Sequence, residues 1–424
     1  YKGYIMIKSI KHDIKRVYEF RRNFSLLGLI NAFRFFIRIK KIPPVDILYS
    51  CHDVSRPLLL NGKYYSPLID ALIIKLNNYS NLTLASPFSR YSGNKASGNT
   101  VNLNLYVIVS LLRRLFTSGS ITLKNTKNDP LIKFYDKLYE QLNLKIIIAI
   151  QPSIEMCIAA KQNKIKIIDV QHGVIGTEES SSYYSLDRRF LYKNSGWPDY
   201  ILCRNMESYK NALKLKDYTK PVLVGNLNKF FYENIYPNKE NTTLVKKKVK
   251  TILFTFQPFY NSLAFSKNNM HEGIIFPKAL LKLILKSNYN FVLKLHPIQI
   301  QNKNLLKSYI KAFDKLFAGC KNVDFILCNQ KPLEYSLANS DLHITFNSAS
   351  LFDAIDYGLK TILLDHNLTR LNQYFGELMD SNSVIVDPNL EIDFSNHFSE
   401  NNQKTYNEAS NDFNLEDFIS KNIR

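Results

Sequence analysis

A chain of 424 residues is too long for one ordinary core and predicts two or three domains. Its 45% hydrophobic and 22% charged residues exclude a disordered or fibrous chain, and no run of about 18 apolar residues offers a membrane-spanning helix. The net charge of +20 predicts an anionic partner, whether nucleic acid, an anionic membrane face or a phosphorylated substrate.

The N-terminal 41 residues carry eleven Lys or Arg against Asp13 and Glu19, with aromatic clusters as in "NAFRFFIRIKK". That pattern fits a basic amphipathic helix lying on a membrane surface, and equally a solvated helix packed on the domain. The opening "YKGYIMIKSIKHD" has no long apolar h-region, so no signal peptide is expected. The expected location is cytoplasmic, with peripheral association at the inner face of the plasma membrane. Cys51, Cys157, Cys203, Cys320 and Cys328 form no C-x-x-C pair, which predicts reduced thiols rather than a zinc site or disulfide framework.

Strand-length apolar runs then alternate with helix-length segments. "VDILYSC" (45–51) is the first predicted strand and "LKIIIAI" (144–150) the second. "SIEMCIAAKQNK" reads as a helix, "IKIIDV" (165–170) as a strand, and "YILC" (200–203) and "PVLVG" (221–225) continue the series. Short, unalternated, β-branched runs separated by helices predict a parallel sheet covered on both faces. A polar, Lys-rich break, "YPNKENTTLVKKKVK" (236–250), separates this half from the next. Beyond it come strands "TILFTF" (251–256), "NFVLKL" (290–295), "VDFIL" (323–327), "DLHITF" (341–346) and "KTILLD" (360–365). The helices between them are "FPKALLKLILKS", "PLEYSLANS" and "SLFDAIDYG", the last closed by Gly358. The expected fold is α/β: two Rossmann-like doubly wound domains facing a cleft, covering residues 1–235 and 236–424, with "LEDFISKNI" packing back across the linker.

In such sheets ligands bind beyond the carboxyl ends of the strands, so the polar residues there are the candidates. Gln171-His172-Gly173 follows "IKIIDV", and Gly173 is expected to permit a sharp turn. His172 reads as a proton-transfer group or oxygen-binding donor, or as a histidine bonding a loop carbonyl. Glu155, in the first turn of the helix after "LKIIIAI", reads as a general base or as a complement to the helix dipole. In "KLHP" the strand delivers His296 and Pro297 fixes the turn; the imidazole there can hydrogen-bond or protonate a phosphate oxygen, with Lys294 as strand support. In "TFNSASLFDAIDYG" (345–358), Ser348 or Ser350 caps a helix, and the same hydroxyls with the free N–H groups suit a phosphate. Asp353 and Asp356 reach a ribose or lie on a solvated face. Gln257 of "FTFQPF" ends the second half's first strand on the ligand side. No P-loop, G-x-G-x-x-G, H-E-x-x-H or D-x-D metal pair is present, so no metal and no cofactor are expected.

With these residues in view, the sequence resembles the bacterial surface-polysaccharide glycosyltransferases of two-domain GT-B architecture, such as those of capsule and lipopolysaccharide synthesis. His296-Pro297 and Asn347-Ser348-Ala349-Ser350 resemble the HP and serine-turn motifs of donor domains that use cytidine-activated sugars. Those families are the sialyltransferases, Kdo transferases and polyol-phosphate transferases of teichoic-acid type. The span from Glu155 to Gly173 resembles an acceptor-domain pattern. "VLVGNLNKFFY" (222–232) resembles a stretch that often closes that domain, with Leu227 in place of proline. The family pattern often has a further His after "QHG"; here Tyr183-Tyr184 follow instead.

The resemblance implies a metal-independent glycosyltransferase. It implies a nucleotide-sugar donor, of CMP-sugar type, held by Gln257, His296, Pro297, Asn347, Ser348, Ser350 and Asp353. Gln171 and Gly173 would meet a glycan or lipid-linked acceptor, and Glu155, His172 and His296 would be catalytic. The basic N-terminal region would meet an anionic membrane surface. Rival expectations are a CDP-polyol phosphotransferase, a nucleotide-sugar epimerase and, in a different class, a basic nucleic-acid-binding protein. No nucleic-acid motif supports the last.

Overall fold

The computed structural model describes residues 39–51, 55–56, 58–84, 97–101, 103–116, 129–175, 195–236, 249–257, 269–398 and 414–423. The basic segment before residue 39, Tyr183-Tyr184 and most of the break after residue 236 lie outside these.

Two parallel sheets dominate. The first contains β1 (Ile47–Ser50), β2 (Asn81–Leu84), β3 (Thr100–Val101), β4 (Ile146–Ala149), β5 (Lys166–Val170), β6 (Tyr200–Cys203) and β7 (Lys220–Leu223), in the order β3-β2-β1-β4-β5-β6-β7. The second contains β8 (Thr251–Thr255), β9 (Asn290–Lys294), β10 (Val323–Asp324), β11 (Leu342–Thr345), β12 (Thr361–Leu363) and β13 (Val384–Val386), in the order β10-β9-β8-β11-β12-β13. Each order reverses at its first strand, the signature of a doubly wound Rossmann-like domain. The fold is therefore α/β, with two such domains facing a cleft.

Buried alternation explains why continuous apolar runs make these strands. Ile47 and Tyr49 of β1 and Ile146 and Ile148 of β4 enter the core on one face. Leu48 and Ile147 enter the core on the other. Helix α1 (Pro67–Lys75) covers the first face; α2 (Asn104–Phe116), α3 (Pro130–Leu142) and α4 (Ile154–Gln162) cover the second. Side chains start several of them: Asp129 accepts from the amides of Leu131 and Ile132, with Pro130 at the first helical position, and Ser153 accepts from Met156. Next come α5 (Met206–Ala212) and α6 (Leu227–Ile235), whose Leu227 and Phe231 join the first face.

The second sheet carries α7 (Lys278–Lys286), α8 (Pro297–Gln301) and α9 (Lys303–Leu316). α7 and α9 share one aromatic core, including Phe254, Phe276, Phe291 and Phe313. α10 (Leu333–Ala338) and α11 (Ser350–Asp356) cover the opposite face through Leu337 and Ala354, beside Leu253. α12 (Leu368–Phe375) and α13 (Leu415–Ile423) complete the described helices.

α13 belongs spatially to the first domain. Leu415 and Ile419 enter the core beside Ile47, the Phe418 ring meets Tyr200 edge-on at 5.0 Å, and Tyr200 donates to Asn422 at 2.8 Å.

Three strands of the two parallel sheets escape the sequence pattern. Asn81–Leu84, Thr100–Val101 and Val384–Val386 are two to four residues long, too short for periodicity to register. "VDFIL" is shorter than its apolar run. The Asp324 carboxylate accepts from the amides of Ile326, Leu327 and Cys328, which ends the strand in a tight turn. All five cysteines are free thiols, four of them buried.

Candidate functional site at the domain junction

At the switch point of the second sheet, β8 lies between β9 and β11. Gln257, His296 and Asn347 each stand two residues past the end of one of these strands. The three therefore end neighbouring strands on one edge, and the Asn347 amide points to Gln257 Oε1 at 3.4 Å.

The HP motif is a helix start. Pro297 opens α8, His296 Nδ1 accepts from the Ile298 amide at 3.2 Å, and the His296 amide donates to Gln299 Oε1 at 2.8 Å. With Nδ1 so used, the neutral ring carries its proton on Nε2. Burial holds the imidazole down to about 4, which favours the neutral ring with Nε2–H as its donor.

The serine turn divides its hydroxyls. Half-buried Ser348 accepts from the Ser350 amide at 3.2 Å. Ser350 points inward instead: its Oγ lies 2.9 Å from Thr255 Oγ1 and 3.4 Å from His343 Nε2. His343, fully buried, also reaches Thr361 Oγ1 at 3.0 Å. Four polar side chains thus tie β8, β11, β12 and the start of α11 together. The Ser350 hydroxyl, expected at a ligand, is placed in this buried network. Asn347 donates to Asp365 at 2.9 Å, which also takes the Arg370 guanidinium.

Asp353, expected at a ribose or on a solvated face, is placed at the domain junction. Its carboxylate takes Arg204, with Nη1 at 3.2 Å and Nη2 closer, and the Asn226 amide at 3.2 Å. Asn226 also donates to Asp356 at 2.5 Å, and Lys229 donates to the Asp356 carbonyl at 2.9 Å. Arg204 follows β6, while Asn226 and Lys229 follow β7, so these bonds join the two domains. Arg204 is 11% exposed at its side chain and Asp353 6%. Beside them Glu334 is buried, and burial followed by the nearby Asp353 carboxylate pushes it up to about 7.

The first domain contributes the Gln171–Val174 loop. Gln171 is 2% exposed, and its amide is committed: Nε2 donates to Gly173 O and Ser208 Oγ, both at 2.7 Å, and Oε1 accepts from the Arg204 amide at 3.0 Å. Through that last bond it positions Arg204. Gly173 has no positive φ, so the turn does not demand glycine; its carbonyl closes the Gln171 bond instead. His172 is exposed and lines a small cavity with Arg204 and Asn226. Val174 reaches the second domain, packing against the core of Leu351, Phe352 and Phe375 beside Ala349. That contact brings the QHG loop alongside the serine turn. Glu155 is 2% exposed in the first turn of α4.

A cavity of about 880 Å³ opens between the domains, walled by Arg204, Asn226 and Lys229 on one side and Phe352, Asp356 and Glu377 on the other. Arg204, Asn226 and Lys229 escaped the sequence reading. Arg204 directly follows a predicted strand, while Asn226 and Lys229 lie in the "VLVGNLNKFFY" stretch noted above for its resemblance to a domain-closing segment. Among the described residues, no group of three His, Cys, Asp or Glu side chains is arranged to hold a metal.

No protein-family model matches the chain, and no curated protein matches it. Among solved structures it is similar to the UDP-GlcNAc 2-epimerase from Neisseria meningitidis bound to UDP-GlcNAc, at 14% identity and TM-score 0.47, covering 80% of this chain and 86% of that one. The UDP-GlcNAc 2-epimerase from Methanocaldococcus jannaschii gives 15%, TM-score 0.46, and 81% and 89%. The wall teichoic acid polymerase TagF gives 13%, TM-score 0.48, and 90% and 85%. Likeness at these values leaves the functional reading to the residues themselves.

Proposed function

We propose that the chain is a glycosyltransferase that binds a nucleotide-activated sugar at the Gln257–His296–Asn347 edge and a glycan or lipid-linked acceptor beside His172. The observation that carries this reading is the gathering of those three polar residues at the switch point of the second sheet, where doubly wound domains bind nucleotides. The HP and serine-turn resemblance favours a cytidine nucleotide.

In this reading the Nε2–H of His296 and the hydroxyl of Ser348 donate to the departing phosphate as its charge develops. Each well-placed donor lowers such a barrier by about 2.7–4 kcal/mol. The acceptor hydroxyl gives its proton to a first-domain base. Exposed His172, on the loop whose Val174 packs beside the serine turn, is better positioned for that than buried Glu155.

The test is a thermal-shift series with CMP, CDP, UDP and GDP. A bound nucleotide at a hundred times its Kd stabilises by about 2.7 kcal/mol. One nucleotide should raise the midpoint, and His296→Ala should abolish that rise while the circular dichroism stays native. No rise with any nucleotide would sink the reading. Conversion of a nucleotide sugar without acceptor would replace the transferase by an epimerase. His172→Ala should cut turnover at least a hundredfold with nucleotide binding intact; loss only in Glu155→Gln would move the base to α4.

A further inference from the structure

The charges of the second domain are segregated. Residues 269–321 hold nine lysines against Glu272 and Asp314, whereas residues 322–398 hold three basic residues against eleven acidic ones. The acidic half supplies the junction with the first domain, through Asp353, Asp356 and Glu377. The basic half supplies α7 and α9 on the opposite face of the sheet.

On those helices the lysines fall at a strict four-residue interval. Lys278, Lys282 and Lys286 run along α7, and Lys303, Lys307, Lys311 and Lys315 along α9; all seven are exposed. Residues four apart share a helix face, so each helix carries a lysine stripe opposite its buried side. The buried sides, Leu280 and Ile284 in α7 and Tyr309 and Phe313 in α9, enter one core, where Phe276 lies 6.0 Å from Phe313. The stripes therefore lie on adjacent helices of one face. Lys315 is paired with Glu272 at 2.8 Å, both exposed.

Apolar side chains stand out of the same region. Leu285 on α7 is 56% exposed, and Ile326 and Leu327 are 50% and 64% exposed. These last two sit on the turn that Asp324 holds by its backbone amides, and the adjoining Phe325 packs 5.3 Å from Phe313. A rigid loop thus presents two aliphatic tips beside a lysine-striped helix.

We infer that this face of the second domain docks on an anionic lipid bilayer, with the lysine stripes over the headgroups and Leu285, Ile326 and Leu327 at the acyl boundary. The lysines supply charge complementarity, and aliphatic tips among them gain from a bilayer but not from a nucleic acid. The acidic junction on the other side then faces away from the membrane. The inference is independent of the nucleotide edge and of the basic N-terminal segment.

The experiment is co-sedimentation of the full chain with vesicles of phosphatidylcholine alone, or with about a third phosphatidylglycerol, in 0.1 M salt. Each surface lysine strengthens binding roughly fivefold. Changing Lys282, Lys286, Lys307 and Lys311 together to Gln should therefore lower partition to the anionic vesicles by nearly three orders of magnitude. The same number of changes elsewhere, at exposed Lys137, Lys164, Lys214 and Lys216, should leave it within a few-fold. Ile326→Ser with Leu327→Ser should lower it several-fold with no change in charge. Equal losses from the two lysine sets would reduce the effect to net charge and overturn the face. So would wild-type partition in the quadruple α7/α9 variant, or binding to RNA but not to vesicles.

Discussion

The two sheets share one strand order but use their strand ends in opposite ways. In the first domain the polar residues after β6 and β7 reach outward: Arg204, Asn226 and Lys229 all bond to α11 of the other domain. In the second domain the strand-end residues bond within their own domain: the Asn347 amide points to Gln257, the Asn347 side chain donates to Asp365, and His296 accepts from the Ile298 amide. The same fold thus gives one edge whose polar side chains hold the neighbouring domain and one edge whose polar side chains bond within their own. The lesson is that a polar residue past a strand marks a site only after its partners are known.

The largest test of that contrast is Asp353→Ala. It leaves the buried Arg204 guanidinium with Asp356 alone, at 3.7 Å. Stranding one partner of a buried pair costs about 3–5 kcal/mol, so the urea midpoint should fall steeply. The sole tryptophan, Trp197, is fully buried in the first domain and reports on it by fluorescence. Asn347→Ala, at the other edge, should cost about 2 kcal/mol, a single hydrogen bond to the Asp365 carboxylate. Equal losses at the two positions would erase the distinction.

The sequence carried the alternation of strands and helices well, because these sheets are buried on both faces and their strands are unbroken apolar runs. It carried the candidate positions too: His296, Asn347 and Gln257 are strand-end residues by count. What it lacked was partnership. Ser350 and Ser348 look alike in "NSAS", yet one hydroxyl is spent on Thr255 and the other caps a local amide. Asp353 reads as a ribose contact or a solvated side chain, and nothing in the sequence points to Arg204, 149 residues earlier, which its carboxylate takes. His343 was invisible inside "DLHITF", since a strand pattern does not reveal whether a polar residue faces hydroxyls.

His343 sharpens the comparison through pH. Burial lowers it to about 3, and Thr255, Thr361 and Ser350 surround the ring with hydroxyls rather than charges. The unfolded imidazole takes a proton below about 6.5, which the folded one refuses until about 3. Its contribution is therefore full above pH 6.5 and is lost as pH falls toward 3, at about 1.4 kcal/mol per pH unit. His343→Asn should flatten the stability profile between pH 6 and 4 by one proton's worth, measured from urea midpoints. An unchanged slope would mean the ring is already protonated or exposed.

The smallest expected effect probes the junction at its rim. Gly376, after α12, has φ +48°, and an added Cβ would stand 2.2 Å from Glu207 Oε1 on α5 of the first domain. Two costs follow from Gly376→Ala: left-handed backbone strain, and displacement of the Glu207 side chain. Together they should amount to about 1–2 kcal/mol. Glu207→Ala removes the second cost and leaves the first. In a double-mutant cycle the pair should therefore couple favourably, by roughly 0.5–1 kcal/mol. Simple additivity would mean that the glycine is required by its own turn alone, and that the domains do not press on each other there.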